Sequence, residues 1–165
     1  MLRRLTLLRH AKSSWQDAGP ASDHDRPLSQ RGQQDAPVMG RRMLARGSRP
    51  SLILCSPAVR ARQTAQLIAL ELGYPPEFLQ REPELYLASP EQIMAVVARQ
   101  ADAFRDIIVC GHNPGLTELA NQLTDSDIDN IPTCGMAVID LDLDSWVSLP
   151  ATPGSLQLFD YPKKP

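Results

Sequence analysis

The chain has 165 residues, of which 42% are hydrophobic and 22% are charged, and its 17 Lys and Arg residues against 19 Asp and Glu residues leave a net charge of −2. This length predicts a single domain over residues 1–165, and the composition excludes a disordered or fibrous protein. The near-neutral charge and the aromatic content of 5% argue against a nucleic-acid partner, and no apolar run is long enough for a membrane span.

Five short apolar runs rich in Leu, Ile and Val have the length and composition of strands. They are Leu5–Leu8, Leu52–Cys55, Ile107–Cys110, Met136–Leu141 and Leu156–Phe159. The segments between them carry apolar residues three and four positions apart, which is typical of helices. Strands that alternate with helices predict an α/β sandwich with a largely parallel sheet.

The predicted helices have recognisable starts. The first runs from about Ser29 towards Gly47 and contains Pro37, where we expect a late start or a kink. The other three each begin with an N-cap residue before a proline suited to the first turn. These pairs are Ser56-Pro57, Ser89-Pro90 and Asn113-Pro114. Gly73 is expected to end the helix that follows Ser56.

Ligands of such sheets bind beyond the carboxyl ends of the strands, beside the N-termini of helices. Charged and imidazole side chains follow three of the predicted strands there: Arg9, His10, Arg60, Arg62 and His112. Guanidinium groups are forked, permanently charged donors, and helix N-termini add backbone N–H groups. These groups from three separate strand ends predict a site that binds anions, and phosphate in particular.

Other chemistries are excluded by spacing. A thiol-based phosphatase needs a Cys and an Arg separated by five residues, and that spacing leads from Cys55 to Ala61. The three cysteines, Cys55, Cys110 and Cys134, form no CxxC pair, so they indicate neither a zinc site nor a disulfide framework, and a reducing cytoplasm is expected. The acidic stretch Asp125–Asp129 lacks the Gly and the distal Glu of a calcium loop, so we expect no bound metal.

A histidine nucleophile remains, because a neutral imidazole attacks phosphorus without first losing a proton. The chain here resembles the histidine phosphatase (phosphoglycerate-mutase-like) superfamily, and in particular its small SixA-type phosphohistidine phosphatases. Leu8–Lys12 is similar to the RHG or RHA motif of that family, Ser56–Ala65 to its SP-x-x-RA-x-QTA segment, and Gly111–Asn113 to its second-histidine motif. Ser13–Trp15 and Asp25–Ser29 agree with the SixA-type members.

The resemblance implies a three-layer α/β/α sandwich that uses no metal or organic cofactor. It makes His10 the phosphorylated nucleophile and His112 a second pocket histidine that donates to the phosphoryl oxygens. Arg9 and Arg60 become the phosphate clamps. The register of the RA-x-QTA motif selects Arg60 rather than Arg62, and residues two apart lie about 200° apart around a helix, so only one is expected to serve.

Two further residues follow from the resemblance. Larger members carry a glutamate general acid, and the best match here is Glu84, which is either that acid or an exposed loop carboxylate. Other members use an asparagine after a Trp as a phosphate ligand. That position holds Gln16, which either donates in the same way or caps a loop.

We expect a cytoplasmic phosphatase that acts through phospho-His10 on a phosphohistidine side chain of a partner protein. A chain of 165 residues has little length to spare for a substrate lid, and an open pocket would admit a protein surface. An imidazole leaving group also demands less of a general acid than an alkoxide does. Two alternatives remain open: a phosphatase of small phosphomonoesters or sugar phosphates, and a module that binds phosphorylated proteins without turnover.

Overall fold

The computed structural model describes residues 1–15, 22–149 and 153–165, and a six-stranded sheet lies at its centre. In chain order the strands are β1 (Leu2–Arg9), β2 (Leu52–Cys55), β3 (Gln80–Arg81), β4 (Asp106–Gly111), β5 (Met136–Asp142) and β6 (Ser155–Asp160). They are arranged β3-β2-β4-β1-β5-β6. The first four are parallel, β5 pairs with β1 in antiparallel fashion, and β6 pairs with β5 in antiparallel fashion. The prediction of a largely parallel sheet is confirmed.

Helices cover both faces of this sheet. In the described ranges they are α1 (Gln30–Ala45), α2 (Val59–Leu72), α3 (Pro90–Ala98) and α4 (Gly115–Thr124). Side chains alternate along a strand, so Ile53 packs into the core shared with α1 and α2, while its neighbour Leu54 packs into the core shared with α3 and α4. The three-layer α/β/α sandwich is confirmed. None of the described helices is long and apolar enough to cross a membrane.

Two helix boundaries follow from local sequence as predicted. Ser89 caps α3, because its Oγ accepts the Gln92 N–H at 3.2 Å while the Gln92 side chain accepts the Ser89 N–H at 2.9 Å. Gly73 ends α2 with a φ of 70°, a left-handed conformation that glycine adopts at little cost. Both predictions are confirmed.

The first helix occupies its predicted range, and Pro37 lies within it. Ser29 caps α1 by accepting the Gly32 N–H at 3.2 Å, and the helix continues through Pro37 to Ala45. The expected late start is therefore wrong. Proline removes one backbone donor from the helix, and the N-cap together with the packing of α1 on α2 outweighs that loss.

Two of the predicted caps lie further upstream of their helices than expected. The helix α2 begins at Val59 instead of Pro57, and the Ser56 Oγ accepts the Ala58 N–H at 3.2 Å and pairs with the His112 Nε2 at 2.8 Å. Asn113 likewise precedes α4, and its Oδ1 accepts the Thr117 N–H at 3.2 Å. The Ser56 hydroxyl is thus shared between the residue that precedes α2 and a side chain that follows β4.

The short strand β3 was missed because its residues, Gln80 and Arg81, form no apolar run. It pairs in parallel with Leu54 and Cys55 at the edge of the sheet. Its backbone position is set by this pairing and by the Glu82 N–H, which donates to the Cys55 carbonyl at 2.9 Å. Strand formation here depends on neighbouring residues far away in sequence, which a local pattern does not report.

Thr64 joins the loop after β1 to α2. Its buried Oγ1 accepts the Ala11 N–H at 2.9 Å and donates to the Arg60 carbonyl at 2.8 Å. A hydroxyl can do both at once. The loop that carries His10 is thereby held against the helix that carries Arg60.

Replacing Thr64 by valine keeps the side-chain volume and removes the hydroxyl. The Ala11 N–H then loses its acceptor inside the protein, and we expect the free energy of unfolding to fall by about 1–3 kcal/mol. Urea unfolding measures this loss. The variant Thr64→Ser keeps the hydroxyl and should lose less than half as much, whereas equal losses in the two variants would contradict the role assigned to the hydroxyl.

Candidate active site

The predicted site residues meet at the carboxyl ends of the parallel strands. His10 follows β1, His112 follows β4, and Arg60 lies in the first turn of α2. The rings of His10 and His112 are 5.3 Å apart between centroids, and the Arg60 Nη2 is 3.5 Å from the His112 Nδ1. Arg9, the last residue of β1, is close enough for its charge to act on both imidazoles. The structure thus brings these four residues together.

His10 is held in one orientation and one tautomer. Its Nδ1 lies 2.7 Å from the Ala11 carbonyl oxygen, and a carbonyl can only accept, so Nδ1 carries the proton. The His10 N–H donates to the Gly111 carbonyl at 3.1 Å, and its own carbonyl accepts the Cys134 N–H at 3.0 Å. Nε2 is left unprotonated, with a lone pair.

Burial keeps this imidazole neutral. His10 is only 7% exposed, and desolvation, followed by the charges of Arg60, Arg9 and Arg26, lowers its pKa to about 4. Removing the charged form of a histidine from water and placing it beside cations both favour the free base. At neutral pH the lone pair on Nε2 is therefore available.

His112 has the opposite tautomer. Its Nδ1 faces the Arg60 guanidinium, which can only donate, so the proton sits on Nε2 and is donated to the Ser56 Oγ at 2.8 Å. Burial, then the nearby His10 and the charge of Arg60, lower the pKa of His112 to about 3. The side chain is consequently neutral in the unliganded pocket, with an acceptor nitrogen pointing towards Arg60.

The two predicted clamps are cations that differ in burial, Arg9 being half-buried and Arg60 buried. The Arg9 Nη1 donates to the Ile131 carbonyl at 3.0 Å, and desolvation lowers the pKa of Arg9. Arg60 is 2% exposed. The Nε atoms of both arginines are buried and have no hydrogen-bond partner among the described residues. A buried guanidinium donor without an acceptor is costly, and a bound anion would relieve that cost.

Asp23 organises the cations, and sequence reasoning assigned it no role. Its backbone carbonyl and its Oδ2 accept from the Arg60 Nη1 and Nη2 at 2.6 and 2.9 Å. The same Oδ2 accepts the Tyr86 hydroxyl at 2.6 Å, and Oδ1 accepts the Arg26 Nε at 3.0 Å. The Tyr86 hydrogen bond, together with Arg26 and Arg60, holds the pKa of Asp23 well below its usual range.

Arg26 is a third guanidinium near His10 that sequence reasoning left without a role. Its Nη1 donates to the Ser13 Oγ at 2.5 Å, and its guanidinium lies 3.6 Å from the centre of the Trp15 ring. Its charge contributes to the lowered pKa of His10. The signal that could have found it was its position inside the Asp25–Ser29 motif.

One predicted site residue, Glu84, is not part of this cluster. Glu84 is exposed and pairs with the Arg99 Nη2 at 2.5 Å, and that hydrogen bond lowers the pKa of Glu84. A general acid has to hold a proton near neutral pH, so the structure does not bring Glu84 into position for that role. Gln16 lies outside the described residues.

The described residues offer no cluster of three or more His, Cys, Asp or Glu side chains suited to a metal ion. The acidic side chain of the pocket, Asp23, is instead engaged by Arg26, Arg60 and Tyr86. The pocket is built around cations and imidazoles, which suit an anionic ligand.

The chain is similar to known proteins in sequence and in fold. The sequence profile of the histidine phosphatase superfamily (branch 1) matches residues 5–106. An uncharacterized chloroplastic protein of Arabidopsis thaliana is 34% identical over 152 residues, which are 87% of this chain and 69% of that protein. The structure of the candidate phosphohistidine phosphatase SixA from Agrobacterium tumefaciens is 30% identical, with a TM-score of 0.81 over 97% of this chain and 98% of that chain.

A mycobacterial glucosyl-3-phosphoglycerate phosphatase is similar in fold alone, with 15% identity and a TM-score of 0.69 over 98% of this chain and 100% of that chain. The matched profile spans more than half of the chain and includes Arg9, His10 and Arg60. Because the profile, the similarity to SixA and the geometry of the pocket agree, the chain belongs to the histidine phosphatase superfamily and is similar to its SixA-type members.

Proposed function

We propose that this phosphatase removes the phosphoryl group from phosphohistidine side chains of proteins, and that His10 carries the group between substrate and water. The observation that carries the proposal is the state of His10. Its Nδ1 is bonded to the Ala11 carbonyl at 2.7 Å and its pKa is lowered to about 4, so Nε2 presents a lone pair at neutral pH. A neutral nucleophile beside buried guanidinium groups suits attack on a phosphoryl dianion.

The reaction consists of two transfers at one phosphorus atom. First, the His10 Nε2 bonds to phosphorus while the bond from phosphorus to the substrate imidazole breaks. The leaving nitrogen keeps the electron pair of that bond, so a substrate ring protonated on its other nitrogen departs as neutral imidazole. Second, a water oxygen bonds to phosphorus, the bond to Nε2 breaks, and inorganic phosphate leaves with the protons of the water. Arg9 and Arg60 stabilise the charge on the phosphoryl oxygens in both transition states.

His112 supports the phosphoryl group from a second side. Its Nδ1 points into the pocket towards Arg60, while its Nε2 is anchored on Ser56. A dianion bound beside Nδ1 favours the protonated ring, since an opposite charge nearby raises the pKa of an imidazole. His112 then donates from Nδ1 to a phosphoryl oxygen, in the role that the family resemblance implies for it.

The choice of substrate rests on two carboxylates, Glu84 and Asp23, that are poorly suited to act as a general acid. Glu84 is paired with Arg99 in solvent, and the carboxylate of Asp23 is kept ionised by its three donors. Neither is suited to give a proton to an alkoxide leaving group at neutral pH. Cleavage of a P–N bond releases an imidazole, which needs less help. This favours phosphohistidine, as does the similarity to a candidate phosphohistidine phosphatase.

The main alternative is a phosphatase of small phosphomonoesters or sugar phosphates. The sugar-phosphate phosphatase described above shares the fold at 15% identity, which gives no argument about substrate. A module that binds phosphoproteins without turnover is disfavoured because the nucleophile is present and correctly protonated. We therefore prefer the phosphohistidine substrate.

A turnover panel tests this choice. We expect kcat/KM to be higher on a phosphohistidine-bearing phosphorelay domain than on any common sugar phosphate, because a protein surface supplies binding energy around an open pocket. The variant Glu84→Gln should retain most of its activity on the phosphohistidine protein. Vigorous hydrolysis of one small phosphomonoester, with the phosphohistidine protein untouched, would favour the main alternative instead.

Arg60 and Arg62, at the start of α2, provide a matched pair of variants that tests which arginine binds the phosphoryl group. Arg60→Ala removes a charge-assisted contact to the transferring phosphoryl group, so we expect turnover of the small donor phosphoramidate to fall by about 10²-fold or more. Arg62→Ala should leave this turnover within a few-fold of the unmodified protein. Steady-state kinetics measures both, and equal losses would show that the clamp has been assigned to the wrong arginine.

A further inference from the structure

Two further arginines, Arg62 on α2 and Arg81 on β3, lie outside the pocket that contains Arg60. Arg62 and Arg81 line a cleft of about 250 Å³ together with Cys55 and Glu77. Both guanidinium charges act on the Cys55 thiol, opposing the rise in its pKa that burial causes. Neither guanidinium has a hydrogen-bond or ion-pair partner among the residues that the structure describes.

This lack of partners distinguishes the pair from neighbouring arginines. Arg99, for example, bonds to both Glu82 and Glu84 at 2.5 Å. Glu77 lines the same cleft as Arg62 and Arg81 but forms an ion pair with neither. Its single negative charge therefore balances only one of the two positive charges. The cleft is left with positive charge and with donors that no acceptor of the described chain occupies.

The burial of one donor points to a ligand. The Arg62 Nε is buried without a hydrogen-bond partner, and among the described residues the other guanidinium Nε atoms in this state belong to Arg9 and Arg60. Those two arginines are the proposed clamps on phosphate. Leaving such a donor unpaired is costly, the more so for a charged group, and a carboxylate can accept from a guanidinium with two parallel bonds.

The cleft lies at the carboxyl ends of the parallel strands, as the catalytic pocket does. Cys55 ends β2 and Arg81 ends β3, and the residue after Cys55, Ser56, holds His112. A protein interface typically covers about 800 Å² on each partner, far more than a single pocket. A protein interface of that size around the catalytic pocket can extend to this cleft.

We propose that the cleft between Arg62 and Arg81 is a second anion-binding site, which holds a carboxylate side chain of the phosphoprotein substrate. The inference rests on the proposed function, and it adds a recognition element outside the reaction centre. A complementary charge outside the reaction centre strengthens the binding of a partner protein and orients it, and salt weakens this effect. The cleft selects partners with an acidic residue beside their phosphohistidine.

Charge reversal at the cleft tests the proposal. In Arg62→Glu/Arg81→Glu we expect KM for a phosphohistidine phosphorelay domain to rise about tenfold or more and to lose its dependence on NaCl. Turnover of phosphoramidate should stay within a few-fold of the unmodified protein, which also reports that the variant is folded. The milder Arg62→Gln/Arg81→Gln variant should show a smaller rise in KM in the same direction.

The matched control is Arg49→Glu/Arg105→Glu. These exposed arginines precede β2 and β4, at the amino ends of the parallel strands. Their side chains have no partner among the described residues. This control should leave KM for the protein unchanged. An unchanged KM in the Arg62→Glu/Arg81→Glu variant, or an equal rise in the control, would overturn the second site alone. Failure of the unmodified enzyme to turn over any phosphohistidine protein would overturn the proposed function and this site together.

Discussion

The His10 Nδ1 lies 2.7 Å from the Ala11 carbonyl oxygen, and this hydrogen bond leaves only Nε2 with a lone pair for attack on phosphorus. Other contacts keep the bond in place. The Ala11 N–H is held by Thr64, and the His10 backbone is held by Gly111 on β4 and by Cys134. The layered fold therefore acts on the chemistry by fixing one short loop between β1, β4 and α2.

Charge is the second constraint on the pocket. Arg9, Arg60 and Arg26 surround His10 closely enough to act on its pKa, and burying cations without compensation is costly. Asp23 offsets part of that cost by accepting from Arg60 and Arg26. Asp23 accepts from both Nη atoms of Arg60, whose Nε has no hydrogen-bond partner among the described residues. One carboxylate thus keeps the cations assembled before the substrate binds.

Local patterns in the sequence predicted much of this arrangement and missed what depends on distant contacts. Apolar runs located five of the six described strands, and the Ser89 cap followed from its neighbours. The residues at the strand ends, His10 among them, could be found because parallel strands place their carboxyl ends together. The role of the Ser56 hydroxyl could not be predicted, since its partner, His112, is distant in sequence. Asp23 was missed for the same reason, because its donors come from other elements.

The central claim is that Nε2 of His10 forms a covalent bond to phosphorus during turnover. Rapid acid-free quenching of the enzyme with ³²P-labelled phosphohistidine protein, followed by peptide mapping, tests it most directly. The account predicts an acid-labile, base-stable label on His10 that forms and decays with turnover, and its loss in His10→Ala together with activity. A label on a Cys, Ser or Asp side chain, or full activity in His10→Ala, would contradict it.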